Sequence, residues 1–171
     1  MTEVQVQQKE SPVLTVLAVV LVVAYAVLAT RWVNADPGWY EALSKPGWQP
    51  PDWVFGVMWP YNFLALGVAG VVLTRTAPTS AAGLWLAVLA LDVVLALLWA
   101  YLFYVPHALS AAAVALGAAA VVAWALVAVA ARAVPWTGLV VAPYALWLTV
   151  ATTLAVGFAT GAGAGGGQGQ P

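Results

Sequence analysis

Apolar residues in this chain fall in long blocks, not in alternating stripes. After eleven mostly polar residues, the stretch from Val13 to Ala29 is interrupted only by Thr15 and ends at Thr30-Arg31. A second block follows Pro51 and continues to Leu73, and three more occupy about 81–105, 107–131 and 136–160. A bilayer's hydrocarbon core is about 30 Å thick, so a helix needs roughly 20 apolar residues to cross it. The pattern predicts an all-α membrane protein, a compact bundle of five transmembrane helices over about 12–32, 51–73, 81–105, 107–131 and 136–160. Strands are poor candidates, because period-two alternation is absent and Ala and Leu dominate. A soluble bundle is excluded by five such blocks almost free of charge, which leave no face for water.

The breaks are as informative as the blocks. TRTAPTS (74–80) and Arg132–Pro135 are short turns, which predict antiparallel neighbours. Pro51 suits the first helical position, and Asp52 complements the helix dipole in the first turn. Pro60 is expected to kink the second span, and Pro143 lies in the first half of the fifth. Residues 1–11 read as a polar tail and 161–171 as a disordered glycine-rich one. Ala24-Tyr25-Ala26 has the form of a signal-peptide cleavage site, but the apolar run is long and the charge before it weak, so a retained span is expected. The exception among these minimal connections is 33–51, a long segment rich in Pro, Gly and Trp.

Composition sharpens the picture. Hydrophobic residues make up 64% of the 171 and charged residues 6%, against about a quarter charged in ordinary soluble domains. The net charge of −1 and the lack of a basic stripe exclude a nucleic-acid partner. There is no cysteine and His107 is the only histidine, so thiolate chemistry and a His-His metal site are excluded. Arg and Lys number three on the N-terminal side (Lys9, Arg75, Arg132) and two on the other (Arg31, Lys45), too small a bias to orient the bundle.

Ten tryptophans stand out. Trp32, Trp39, Trp85 and Trp136 flank spans and read as interface anchors, whereas Trp59 and Trp147 lie well inside spans and are candidates for a pocket wall. Trp85, Asp92 and Trp99 are spaced by sevens, and Ala96 and Phe103 share their helix face. A carboxylate there must point into the bundle. Asp92 is therefore a functional candidate, or else an acid satisfied by a neighbouring hydroxyl or carbonyl. The 33–51 segment, with Trp39, Tyr40, Lys45, Pro46 and Trp48, reads either as a lid over a bundle cavity or as a membrane-surface anchor. There is no Ser-His-Asp set, phosphate-binding loop or paired carboxylate in the spans, so no enzyme is indicated.

The run from Trp39 to Gly56, followed by Trp59, fits W-Y-x-x-L-x-K-P-x-W-x-P-P-x-W-V-F and resembles the first loop and second helix of the TspO/MBR family (tryptophan-rich sensory protein, peripheral benzodiazepine receptor or translocator protein). Leu98-Trp99 with Leu102-Phe103-Tyr104 is similar to the family's third-helix motif, and Pro143-Tyr144 with Trp147 to its fifth. The resemblance covers roughly residues 12–160 and implies a five-helix bundle, often a homodimer, with a pocket beneath the first loop. It implies binding of porphyrins, haem-like tetrapyrroles, sterols or benzodiazepine-type ligands, with no obligatory cofactor. Carried over by position, the ligand-binding residues would be Trp48, Trp53, Trp59, Asp92, Trp99, Tyr144 and Trp147.

The sequence departs from the family pattern at Gly47, Asp92, Ala96 and Ala155, where a tryptophan, a glutamine and two asparagines are usual. The expected function is a porphyrin-binding sensor or regulator in a bacterial cell membrane. Alternatives are a transporter of small hydrophobic metabolites such as tetrapyrroles or sterols, and a light-dependent porphyrin-degrading enzyme. Expected partners are membrane lipid, the hydrophobic ligand and a second copy. Small residues permit close approach of two copies, among them Ala81, Ala82, Gly83 and Ala87, then Ala111, Ala115 and Gly117 to Ala120.

Overall fold

A computed structural model describes residues 12–161, so the predicted tail 1–11 and all but Gly161 of the predicted tail 161–171 lie outside the described residues. The helices are α1 (Pro12–Val33), α2 (Pro37–Ala42), α3 (Asp52–Thr76), α4 (Thr79–Tyr104), α5 (Leu109–Ala133) and α6 (Pro135–Thr160). All except α2 are long and apolar enough to cross a membrane. No strand occurs among the described residues.

Helix ends follow local chemistry. The Asn34 amide donates to the Thr30 carbonyl at 2.8 Å and so covers an orphan acceptor at the end of α1. Pro78 follows the last residue of the α3 cap and precedes α4, leaving a two-residue connection. After Val134, α6 begins on Pro135, and the Thr137 hydroxyl reaches the Val134 carbonyl at 2.6 Å. At its far end Gly161 takes the left-handed conformation (φ 66°) that closes the last turn. α3 stays helical through Pro60 and α6 through Pro143. Beside the gap left by Pro143, the Tyr61 hydroxyl of α3 donates to the Val140 carbonyl at 3.1 Å, tying the two proline-containing helices together.

The five long helices close into a ring in the order α1, α3, α6, α5, α4 and back to α1. α5 and α6 form the most intimate pair because small residues let their backbones approach. At Gly138 a Cβ would lie 2.5 Å from the Cβ of Ala131, so only glycine fits. Most of the small residues on α5, including Ala112, Ala115, Ala119 and Ala120, are buried inside the bundle. Gly83 on α4 has open space around it and leaves a small-residue surface free there.

Trp85 corrects an expectation. It is fully buried, not an interface anchor, with its six-membered ring against Gly70 and a Cβ there only 3.1 Å away. The heptad spacing explains this, because Trp85 shares the inward face of α4 with Asp92, Ala96 and Phe103. The outer faces carry a belt of exposed aliphatics, including Leu139 (76%), Val114, Val121, Leu64 and Val94. Water would not tolerate such a continuous surface, and lipid solvates it. The chain is thus a multi-pass integral membrane protein.

Candidate functional site: a tryptophan-walled cavity under α2

The site begins with the 33–51 segment, which contains α2. Asp36-Pro37 starts α2: proline presets the first helical residue, and the Asp36 carboxylate accepts from the Trp39 N–H at 3.1 Å. The short helix directs its aromatics down onto the bundle. Trp39 stacks on His107 at 3.7 Å between ring centroids and meets Phe103 edge-on at 5.5 Å. Tyr40 packs against Phe103, Tyr104 and Phe158. The Lys45 ammonium lies 5.2 Å from the Tyr40 ring centroid. Burial first, and then the Asp52 carboxylate, push the Tyr40 phenol above its ordinary pKa.

The rest of the loop is seated on α6. Pro46 is buried, and at Gly157 a Cβ would stand 2.9 Å from Pro46 Cγ and 3.0 Å from Trp48 Cζ2. Gly157 is therefore a notch that receives the loop. The segment lies across one end of the ring of helices as a lid.

Beneath it is a cavity of about 410 Å³, within the usual size range of small-molecule sites. Its inner wall is aromatic: Phe55, Trp59 and Phe63 from α3, Trp99, Phe103 and Tyr104 from α4, and Trp147 and Phe158 from α6. Trp59 and Trp99 are nearly parallel at 6.2 Å, and Trp147 meets Trp59 edge-on at 6.5 Å. α5 contributes nothing to the wall. The mouth is polar, with Thr30, Asn34, Glu41, Gln49 and Asp52.

Of the seven ligand-binding residues the sequence offered, Trp59, Trp99 and Trp147 line this cavity. The other four do not. Trp53 is 69% exposed on the outer side of α3, because Asp52, Phe55, Trp59 and Phe63 define the inward face and Trp53 falls off it. Trp48 is 55% exposed and belongs to the lid's seat on Gly157. Asp92 and Tyr144 are wholly buried below the cavity floor. Of the four proposed lid residues, Tyr40 reaches the cavity, whereas Trp39, Lys45 and Pro46 hold the lid from outside it.

Asp92 has the hydroxyl partner that an acid in a membrane span requires. The Tyr144 hydroxyl donates to its Oδ2, and the Tyr25 hydroxyl lies 3.4 Å from that of Tyr144. Oδ1 of Asp92 and both amide atoms of the fully buried Asn62 have no protein partner. Asp92 is one heptad from Trp99 and Tyr144 three residues from Trp147, so helix rise puts this polar layer about 5–10 Å below the cavity tryptophans.

A lid-covered aromatic cavity at one end of a five-helix ring is the arrangement against which sequence comparison can be set. The model of the TspO/MBR family matches residues 14–160. This chain belongs to the TspO/MBR family. It is 32% identical to protein CrtK of Rhodobacter capsulatus over 82% of this chain and 89% of that one. It is 33% identical to the tryptophan-rich sensory protein of Cereibacter sphaeroides over 68% of this chain and 72% of the relative. It is 30% identical to the human translocator protein over 74% of this chain and 77% of the relative.

Within this TspO/MBR bundle, sequence reading missed most of the cavity wall. Phe55 and Phe63 were detectable from their spacing of four about Trp59, and Phe103 from the stripe it shares with Asp92. Phe158, Glu41, Gln49 and Asp52 carried no such signal, since their place depends on where the lid lands.

Proposed function

We propose that this chain is a membrane binding protein whose cavity beneath α2 holds a flat, hydrophobic ligand of the porphyrin or tetrapyrrole kind, and that it acts as a sensor or regulator through that occupancy. The observation that carries this reading is the aromatic wall built by Trp59, Trp99 and Trp147 around a largely apolar space. Aromatic faces at offset-stacking and edge-on distances offer a planar ligand extensive dispersion contact without requiring many polar partners. The lid supports it, because α2 presents Tyr40 to the cavity while Trp39, Pro46 and Trp48 fix it to the bundle. The name of the Cereibacter relative describes sensing, and that of the human relative translocation.

The test is tryptophan fluorescence of the purified protein in lipid nanodiscs, titrated with protoporphyrin and with haem. Saturable quenching is expected, weakened by Trp59→Leu and by Trp147→Leu. Quenching that rises linearly with ligand and is the same in both variants would refute it.

Translocation of the ligand is a second reading, favoured by the buried Asp92–Tyr144–Tyr25 chain in mid-span. Flux into proteoliposomes that is unchanged by Asp92→Asn would remove its support.

A further inference from the structure

We infer that the mouth of this cavity selects the charge of its ligand, so that among flat aromatic molecules it takes a cation in preference to an anion. The inference rests on the proposed ligand-binding reading of the same cavity and concerns the end of the ligand that emerges under the lid. Two carboxylates, Glu41 from the lid helix and Asp52 from the first turn of α3, line the mouth. No arginine, lysine or histidine among the described residues lines the cavity. Lys45 sits over the Tyr40 ring and does not line the cavity, and neither does Arg31, which follows Thr30 of the mouth in the chain.

Gln49, Thr30 and Asn34 complete the mouth with uncharged groups that both donate and accept, so they do not choose between charges. The aromatic wall attracts positive charge through ring quadrupoles, with tryptophan the strongest of the three ring types. An anionic substituent at the mouth would meet two like charges and ring faces, both of which repel it. An ammonium or pyridinium group would be attracted by both. The chemical class indicated is a planar aromatic body with one or more basic or quaternary nitrogens at an edge.

A matched ligand set separates this inference from the reading beneath it. One porphyrin core is prepared with two carboxylate arms, with the same arms as neutral methyl esters, and with the arms ending in quaternary ammonium groups. Each is titrated by tryptophan quenching against the full chain in nanodiscs of zwitterionic lipid, so that the membrane adds no net charge. The cationic form is expected to bind about tenfold more tightly than the dicarboxylate, with the ester between them; about tenfold corresponds to 1.4 kcal/mol. Raising salt should narrow the difference, because the mouth is open to solvent.

Glu41→Gln combined with Asp52→Asn should bring the cation-to-anion ratio close to one, with the ester measured in the same protein as the neutral reference. Both side chains are exposed, and an unchanged melting temperature verifies that the variant folds. Equal affinity for all three ligands, or a preference for the dicarboxylate, overturns the charge inference and leaves the binding function intact. A preference for the cation that persists in the double variant also overturns it. Absence of saturable quenching by any of the three overturns the binding function, and the inference with it.

Discussion

Gly157→Ala tests whether the lid is held where the structure places it. The added Cβ would lie 2.9 Å from Pro46 Cγ and 3.0 Å from Trp48 Cζ2. Carbon atoms pack best at about 3.5–4.0 Å, so loop and helix must separate by roughly half an ångström or more. Neither obstacle is a flexible chain end: one is a proline ring and the other an indole. Overpacking of this kind costs about 1–3 kcal/mol. If it falls on the docked lid, the ratio of docked to open lid drops by about 5–150-fold. The same substitution replaces a helical glycine, which is worth up to about 1 kcal/mol of helix stability in the opposite direction. Lid opening and global stability should therefore separate. Amide hydrogen exchange read over residues 36–49 reports the lid, particularly the Gln49 N–H bonded to the Pro46 carbonyl at 2.9 Å and the Trp39 N–H bonded to Asp36. Exchange should accelerate there with little change in melting temperature. Gly47→Ala, where a Cβ meets nothing within 4 Å, serves as a control and should leave exchange unaltered. Wild-type lid exchange in Gly157→Ala would show that Pro46 and Trp48 are not seated on α6.

Trp59→Leu should weaken ligand binding about tenfold, whereas Trp53→Leu, on the outer surface, should leave the dissociation constant unchanged in the same quenching titration. Tyr144→Phe and Asp92→Ala should each lower the melting temperature in detergent, and the double variant should lose less than the sum, with a coupling of roughly 0.5–2 kcal/mol. Strict additivity would mean that the two side chains do not interact. Gly138→Ala should destabilise the α5–α6 pair by about 1–3 kcal/mol or more, since its Cβ would meet the Ala131 backbone at 2.9 Å, and melting without a shift would contradict the close approach.

The spans were legible because lipid demands unbroken apolar length, a property of consecutive residues that needs no knowledge of neighbours. The inward face of α4 was legible for a related reason, since Trp85, Asp92, Ala96, Trp99 and Phe103 must lie on one side of a single helix. The same periodicity shows why Trp53 was misplaced. Motif resemblance offered it together with Trp59, but six residues is about one and two-thirds turns, so the two indoles point to different sides of α3. The structure resolves this in favour of Phe55 and Trp59 facing inward. Trp85 was misjudged because proximity to the end of a span says nothing about which face a side chain occupies. Its burial requires a partner helix with a glycine opposite, and Gly70 became visible as that partner only once α3 and α4 were packed.

The lid shows where sequence stops and packing begins. Its composition marked it as unusual, and Asp36-Pro37 carries a complete helix start, so α2 could have been read from the chain. Its position could not, because Trp39 finds its seat on Phe103 and His107, and Pro46 and Trp48 find theirs on Gly157, residues 64 to 111 positions away. That landing brings Glu41 to the mouth beside Asp52. Charges that look scattered in the sequence become one acidic rim over an aromatic hollow. The proposed charge selection acts through these two carboxylates, while the aromatic wall supplies the contact area for the ligand's planar body.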